Sequence, residues 1–308
     1  MTIAITDLEH PTPRRTGMPA RVSRFFRRRR RLSLFATLGA PVAWMLVVYI
    51  GSLLVLVAAA FFKLDENSQP TTEFTTDNVT KALTTGAFLE VVLRSILIAL
   101  AVTAVCLVIA LPMAFYIAKV AKPRWRRGLI VAVLLPLWAG YLVKGYAWKS
   151  IFAPDAGKFA ARKGGGFLEA TIGWTPGFGK LAIVITLAYL WLPYMVLPIY
   201  AGLERLPASY LDAAGDLGAR PFRTFVSVIM PILIPSIAAG SIFTFSLSLG
   251  DYITPRIISG GKEQLIGNVI DLLQQQNQAL SAALTLWPIA IIIVYLIGMS
   301  RLRAFENV

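Results

Sequence analysis

Charged residues are rare inside the apolar stretches of this sequence, and the few found there are where chemistry would have to occur. Arg94 and Lys144 lie within such stretches, Glu90 just before one and Asp251 at the end of another. An ionisable group held away from water is costly and marks a functional site by default. Aromatic residues accompany these groups: Trp138, Tyr141, Tyr146 and Trp148 flank Lys144, and Tyr252 follows Asp251. A carboxylate beside aromatic faces suits an ammonium group, since a cation–π contact contributes ~0.5–2 kcal/mol. One reading is therefore a pathway for a cationic solute, drawn from Asp251, Tyr252, Trp138, Tyr141, Tyr146, Trp148 and Lys144. Against it, Lys144 and Arg94 repel a polycation unless Asp251 or Glu90 neutralises them, and those acids are then structural ion-pair partners. Each aromatic also has a plainer role in packing or in an interfacial belt.

Other chemistries find little material. The only histidine, His10, lies near the N-terminus, so a His-based metal site or triad inside the apolar stretches has nothing to build on. The single Cys106 allows no intramolecular disulfide. Ser150 and Lys149 are adjacent, so on a helix they point apart. Gly-Lys occurs at positions 157–158, 179–180 and 261–262, but Phe, Leu or Glu follows where a phosphate-binding loop requires Ser or Thr. The expectation is a chain that is not an enzyme, needs no cofactor of its own and binds no metal.

The elements that must position these residues are long and apolar. Hydrophobic residues make up 56% of the chain and charged ones 15%, against about 45–50% and about 25% in globular proteins. Runs without charge cover residues 32–62, 95–118, 181–203, 224–250 and 272–300, and a sixth, 128–148, is broken only by Lys144. A membrane span takes roughly 20 apolar residues. The prediction is an all-α, polytopic protein with six spans and little length for a soluble domain. The first run is too long for a cleaved signal peptide and lacks its small-residue site.

The formal charge of +14 would suggest nucleic acid in a soluble protein, but its placement argues otherwise. With six spans, the N-terminus, the segments after spans two and four, and the C-terminus share one side. That side holds nineteen of the thirty basic residues and six of the sixteen acids, a net of +13, which leaves +1 elsewhere. Basic residues gather on the cytoplasmic side of membrane proteins, so both termini are expected there. The run from Arg27 to Arg31 reads as an anchor against anionic lipid rather than a nucleic-acid arm. This divides the chain into a basic cytoplasmic tail, 1–31, whose first twenty residues are expected to be disordered, and a membrane domain, 32–308. Residues 63–88 and 154–179 form outer loops, the second rich in glycine (Gly164, Gly165, Gly166, Gly173, Gly177, Gly179).

The segment between spans four and five, about 207–231, carries the most information. Ser209 stands three residues before Asp212, a capping-box spacing that starts a helix. Leu211, Ala214 and Leu217 recur at helical spacing as one apolar stripe. Gly218 suits the residue just past a helix end, and Pro221 the first turn of a second helix, striped by Phe222, Phe225, Val226 and Ile229. A helix of two turns is marginal in water, so packing must hold it. Its clamp is either another protein or the chain's own basic surface, and the physics leaves the two even. Pro231 and Pro235 then interrupt the start of span five, which must be packed in protein.

These residues also carry a resemblance. Permeases of ABC importers share Glu-Ala-Ala, three residues, Gly, nine residues, then Ile-x-Leu-Pro. Asp212-Ala213-Ala214, Gly218 and Val228-Ile229-Met230-Pro231 match that spacing in full, with Asp for Glu, Val for Ile and Met for Leu. Pro136-Leu137-Trp138, Tyr141 to Trp148, the stretch Ser248 to Pro255 and Gly260-Gly261 resemble the spermidine/putrescine branch, which usually has Arg where Lys144 stands. Opine and ferric permeases share parts of these strings. The resemblance implies a type I ABC importer permease fold and resolves the short helix as a coupling helix that docks on a cytoplasmic ATPase. Asp212, Ala213, Ala214, Gly218, Arg220 and Pro221 are then the coupling residues. It further implies two ATPase copies, which bind ATP and Mg, a second homologous permease and an extracytoplasmic substrate-binding protein, in a bacterial cell membrane. A stand-alone carrier would also have six spans, but not this helix and spacing.

Overall fold

The structure, a computed structural model, describes residues 30–65, 70–153 and 167–301. The tail up to Arg29 and Gly164, Gly165 and Gly166, on which expectations were placed, lie outside the described residues. The chain divides into two units, Met1–Leu56 and Val57–Val308. The first contributes most of α1 (Arg30–Ala59), whose stretch Pro41–Ala59 is long and apolar enough to cross a membrane.

The second unit opens with a two-stranded antiparallel hairpin, β1 (Phe62–Leu64) and β2 (Pro70–Phe74), where only a loop was expected. Short α2 (Asp77–Thr84) follows, then α3 (Gly86–Phe115), which runs into a π turn at Tyr116–Val120. Next come α4 (Pro123–Trp138), α5 (Tyr141–Phe152), α6 (Phe167–Ile172) and α7 (Lys180–Arg205). Two short helices, α8 (Ala208–Asp216) and α9 (Pro221–Thr224), lead through a second π turn, Phe225–Ile229, into α10 (Met230–Leu249). Finally α11 (Ile253–Ile258) and α12 (Ile266–Gln274) precede α13 (Gln278–Arg301).

Among the described residues, five helices are long and apolar enough to span a bilayer, and α4 with α5 make a sixth span if counted as one, bent by 92°. The run 128–148, read from sequence as a single span interrupted only by the charge of Lys144, breaks at Ala139-Gly140. The break orphans carbonyls at the end of α4, and Lys144 answers one of them: its Nζ donates to the Pro136 carbonyl at 2.9 Å. A cation at a helix C-terminus also favours the helix dipole.

The core of this unit is α3 packed against α7 and α10. Buried residues on α3 recur every three or four positions (Val92, Ser95, Ala99, Val102, Cys106, Ala110, Ala114), while Leu93, Leu97, Leu100 and Val108 point outward. An outward face this apolar suits lipid or another spanning chain, not water. On α7 the inward face is Ile183, Leu187, Leu190, Met195, Ile199 and Leu203, all fully buried. Ser95 joins distant elements, donating to the Val91 carbonyl at 2.7 Å and accepting the Ile266 amide at 2.8 Å, which caps α12 from within α3.

Candidate functional site

Two regions at opposite ends of the second unit gather the predicted site residues. At the end where α10 stops, Asp251 lies just past the helix, with only 7% of its surface exposed. Its Oδ1 accepts the amides of Ile253 at 2.9 Å and Thr254 at 3.0 Å, which starts α11. Its Oδ2 accepts the hydroxyls of Thr254, at 2.8 Å, and Tyr141. Burial pushes the Asp251 carboxyl above its ordinary value, and these hydrogen bonds pull the other way. Gly267 makes the arrangement possible. A Cβ there would stand 2.9 Å from the Asp251 carbonyl oxygen, so only glycine lets α12 press against this turn.

Of the two acids offered as partners for Lys144 and Arg94, Glu90 does pair with Arg94, and the alternative that Asp251 balances either cation is corrected. Among the described residues, no Lys or Arg nitrogen lies within 4.0 Å of its carboxylate. Lys144 serves the Pro136 carbonyl instead. Arg94 pairs with Glu90 one helical turn before it and, at 3.1 Å, with Glu263, whose other oxygen is 4.0 Å from Lys180. Glu263 went unnoticed because nothing in the Gly260-Gly261-Lys262-Glu263 string signals a partner on α3. Asp251 is thus held by four hydrogen bonds, which use its acceptor directions and leave no free one for a ligand.

Beside Asp251 is a cavity of about 230 Å³ lined by Tyr141, Trp191, Leu247, Gly250, Asp251, Tyr252 and Ile253. Tyr141 and Trp191 rings stand 6.0 Å apart, Trp191 and Tyr194 5.8 Å, and Tyr194 and Phe243 6.4 Å, so aromatic faces run from this cavity along α7 to α10. The sequence reading missed Trp191, Tyr194 and Phe243. The i, i+3 spacing of Trp191 and Tyr194 was the available signal. Tyr252 also lines a second groove with Leu142, Tyr146, Lys149 and Arg256, where the Lys149 ammonium sits 6.0 Å from the Tyr146 ring centre. The remaining aromatics do not converge. Trp148 packs between Phe152 and Tyr189, and Trp138 is 88% exposed beside the bend.

At the other end lies the segment 207–231. Gly218 takes φ 71°, its amide donates to the Gly215 carbonyl at 2.8 Å, and the Ala219 amide to Ala214 at 3.0 Å. This paired closure of α8 is the Schellman geometry that needs a left-handed residue. Pro221 occupies the first turn of α9 with Arg220 as its N-cap, in line with expectation. The capping box does not form. Pro207 is the N-cap, no side chain caps α8, and Ser209 already lies inside the helix. The apolar stripe is also shorter than expected. Leu211 and Ala214 face the core, but Leu217 sits at the C-cap, where the chain turns away, and is 87% exposed. Asp212, Ala213, Arg220 and Pro221 are exposed too. Tyr210, Ala213, Ala214, Leu217, Gly218 and Arg223 border a groove of about 410 Å³.

Long apolar helices around a buried bundle, a bent helix pair and an exposed two-helix segment between the fourth and fifth spans mark a multi-pass membrane protein. The sequence profile of the binding-protein-dependent transport system inner membrane component family matches residues 82–305, and the chain belongs to that family. It is therefore a permease subunit of an ABC importer, a transport component. It is 41% identical over 307 residues, 96% of this chain and 97% of the relative, to the inner membrane ABC transporter permease protein YdcU of Escherichia coli (strain K12). It is 33% identical to the spermidine/putrescine transport system permease protein PotB of the same organism, over 74% of this chain and 82% of that one. Among solved structures, a bacterial ABC transporter that imports the acidic polysaccharide alginate superposes with a TM-score of 0.64 at 14% identity, covering 93% of this chain and 99% of that one. That likeness establishes the shared fold.

Proposed function

We propose that this permease imports polyamines across a bacterial inner membrane, with ATP hydrolysed by a partner ATPase whose docking surface is the α8–α9 segment. The observation that carries the coupling role is the exposure of Tyr210 and Leu217 on the groove closed by Gly218, with Phe222 exposed on the adjoining α9. A helix of nine residues with so little inward packing is marginal alone, and an apolar rim in water is the signature of a docked protein. The basic end is then cytoplasmic, a reading that the charge asymmetry supports. A second homologous permease completes the pathway, and a binding protein delivers substrate at the Asp251 end. The alginate transporter has been solved in complex with a periplasmic protein carrying an alginate pentasaccharide, which supports such a partner.

Polyamine as substrate rests on the likeness to PotB and on the aromatic cavity. Its faces of Tyr141, Trp191 and Tyr252 suit ammonium groups, and Asp251 beside them adds negative potential while its acceptor directions stay committed to its four hydrogen bonds. ATP-dependent uptake of radiolabelled putrescine and spermidine into proteoliposomes tests this, with molybdate and alginate oligosaccharide as controls. Uptake of either control in place of the amines overturns the assignment.

A further inference from the structure

The chain just before α8 and the π turn that follows α9 both bear on the last turns of α3, and one side chain makes the first of these links. Lys119, in the π turn that ends α3, donates from Nζ to the Leu206 carbonyl at 2.8 Å. Leu206 closes α7, and the next residue, Pro207, is the N-cap of α8. The turn is itself held from the other side, since Arg126 of α4 donates from Nη2 to the Ala118 carbonyl at 2.7 Å. Beyond α8, the chain passes through α9 into the second π turn, and its first residue, Phe225, packs edge-on against Phe115 with ring centres 6.5 Å apart. Two π turns, each closed by an i to i+5 bond (Ala121 amide to Tyr116, Met230 amide to Phe225), thus flank the short helix. Such turns are frequent at functional sites, and their extra residue loosens the regular ladder.

We infer that Lys119 is a positioning residue that latches the π turn of α3 to the start of α8, so that displacement of α8 by a bound ATPase carries α3 with it. A lysine suits this task. Its charge strengthens the bond to a carbonyl that α7 leaves at its end, where the helix dipole favours a cation. Without the latch, motion of α8 reaches the bundle through the packing of Leu211, Ala214 and Phe225 and through the covalent chain, by way of α7 and α10, with no polar bond from α3 to hold its start. The inference builds on the coupling role proposed above, and its test separates the two.

Spin labels at Val120→Cys and Asp216→Cys, both exposed positions, report the separation of the π turn from α8. Double electron–electron resonance on the purified full chain at rest needs neither ATPase nor substrate. A narrow distribution is expected in the otherwise unaltered chain and in Lys119→Arg, and a broadened, shifted one in Lys119→Met. Lys122→Met, which removes an exposed cation from the same loop, keeps it narrow. In the reconstituted complex, Lys119→Met keeps ATP hydrolysis stimulated by spermidine-loaded binding protein, while spermidine moved per ATP falls about tenfold, the size expected for one charge-assisted hydrogen bond. Lys119→Arg restores the ratio. The latch is overturned if Lys119→Met leaves the separation narrow, if Lys122→Met broadens it equally, or if uptake and hydrolysis fall in proportion. Loss of stimulated hydrolysis in the unaltered complex counts against the coupling role, while the resting distances still decide the latch.

Discussion

At the scale of single residues, Asp251 shows how structure redirects a reading that residue type alone suggests. A lone carboxylate at the end of a span invites either a substrate ammonium or a neighbouring cation. Its oxygens are instead committed to two amides and two hydroxyls that start α11 and fix Tyr141. In Asp251→Asn the retained oxygen still caps the helix, but the new amide group offers no acceptor to the Tyr141 and Thr254 hydroxyls. Leaving a buried hydroxyl unsatisfied costs about 1–3 kcal/mol. Purified Asp251→Asn permease should therefore show a lowered Tm. Adding Lys144→Met should lower it further rather than restore it, because Lys144 serves the Pro136 carbonyl at the bend. Rescue by the second substitution would reinstate the ion pair. That Asp251 needs buried partners was legible in the sequence, since an acid at the end of an apolar run is conspicuous. Its partners were not, because Tyr141 lies 110 positions away and only folding brings it close.

Among elements, the segment 207–231 was the most legible, and for local reasons. Gly218 and Pro221 act through backbone geometry that the sequence states directly, and both take the conformations expected of them. The parts that failed depended on register. Ser209 falls inside α8 because Pro207, with its fixed φ, already serves as the N-cap. The break in the third span was hidden for a different reason. Ala139-Gly140 is a weak interruption within an apolar run, and the 92° bend is held by Lys144 reaching back across it. For the same local reasons, Gly218→Leu should act on α8 alone. A branched side chain at positive φ costs about 1 kcal/mol or more, and nothing stands within 4 Å of a Cβ there. The strain therefore frays α8 without disturbing the core. Membrane insertion should survive in Gly218→Leu, while uptake and substrate-stimulated ATP hydrolysis fall together. Normal stimulation in that variant would remove the coupling role from this helix.

On the scale of the whole molecule, charge and hydropathy made the multi-pass architecture legible, because a bilayer demands long apolar helices and little else imitates them. The contacts that build the bundle were not legible, since all faces of such helices look alike in sequence. Charge asymmetry also yields an orientation. With the buried Cys106 silent, Thr76→Cys should react with an impermeant thiol reagent in intact cells and Ala219→Cys should not. The reverse pattern would invert the topology.

The central claim, that this permease moves its substrate by coupling to an ATPase, is tested most directly by the energy source for transport. The complex purified in mild detergent is reconstituted into proteoliposomes with loaded binding protein, and radiolabelled spermidine uptake is followed with ATP alone or with an ion gradient alone. Uptake that requires ATP, together with an ATPase that copurifies with the permease, is the predicted result. Uptake driven by the gradient without ATP would make the chain a stand-alone carrier and contradict this account.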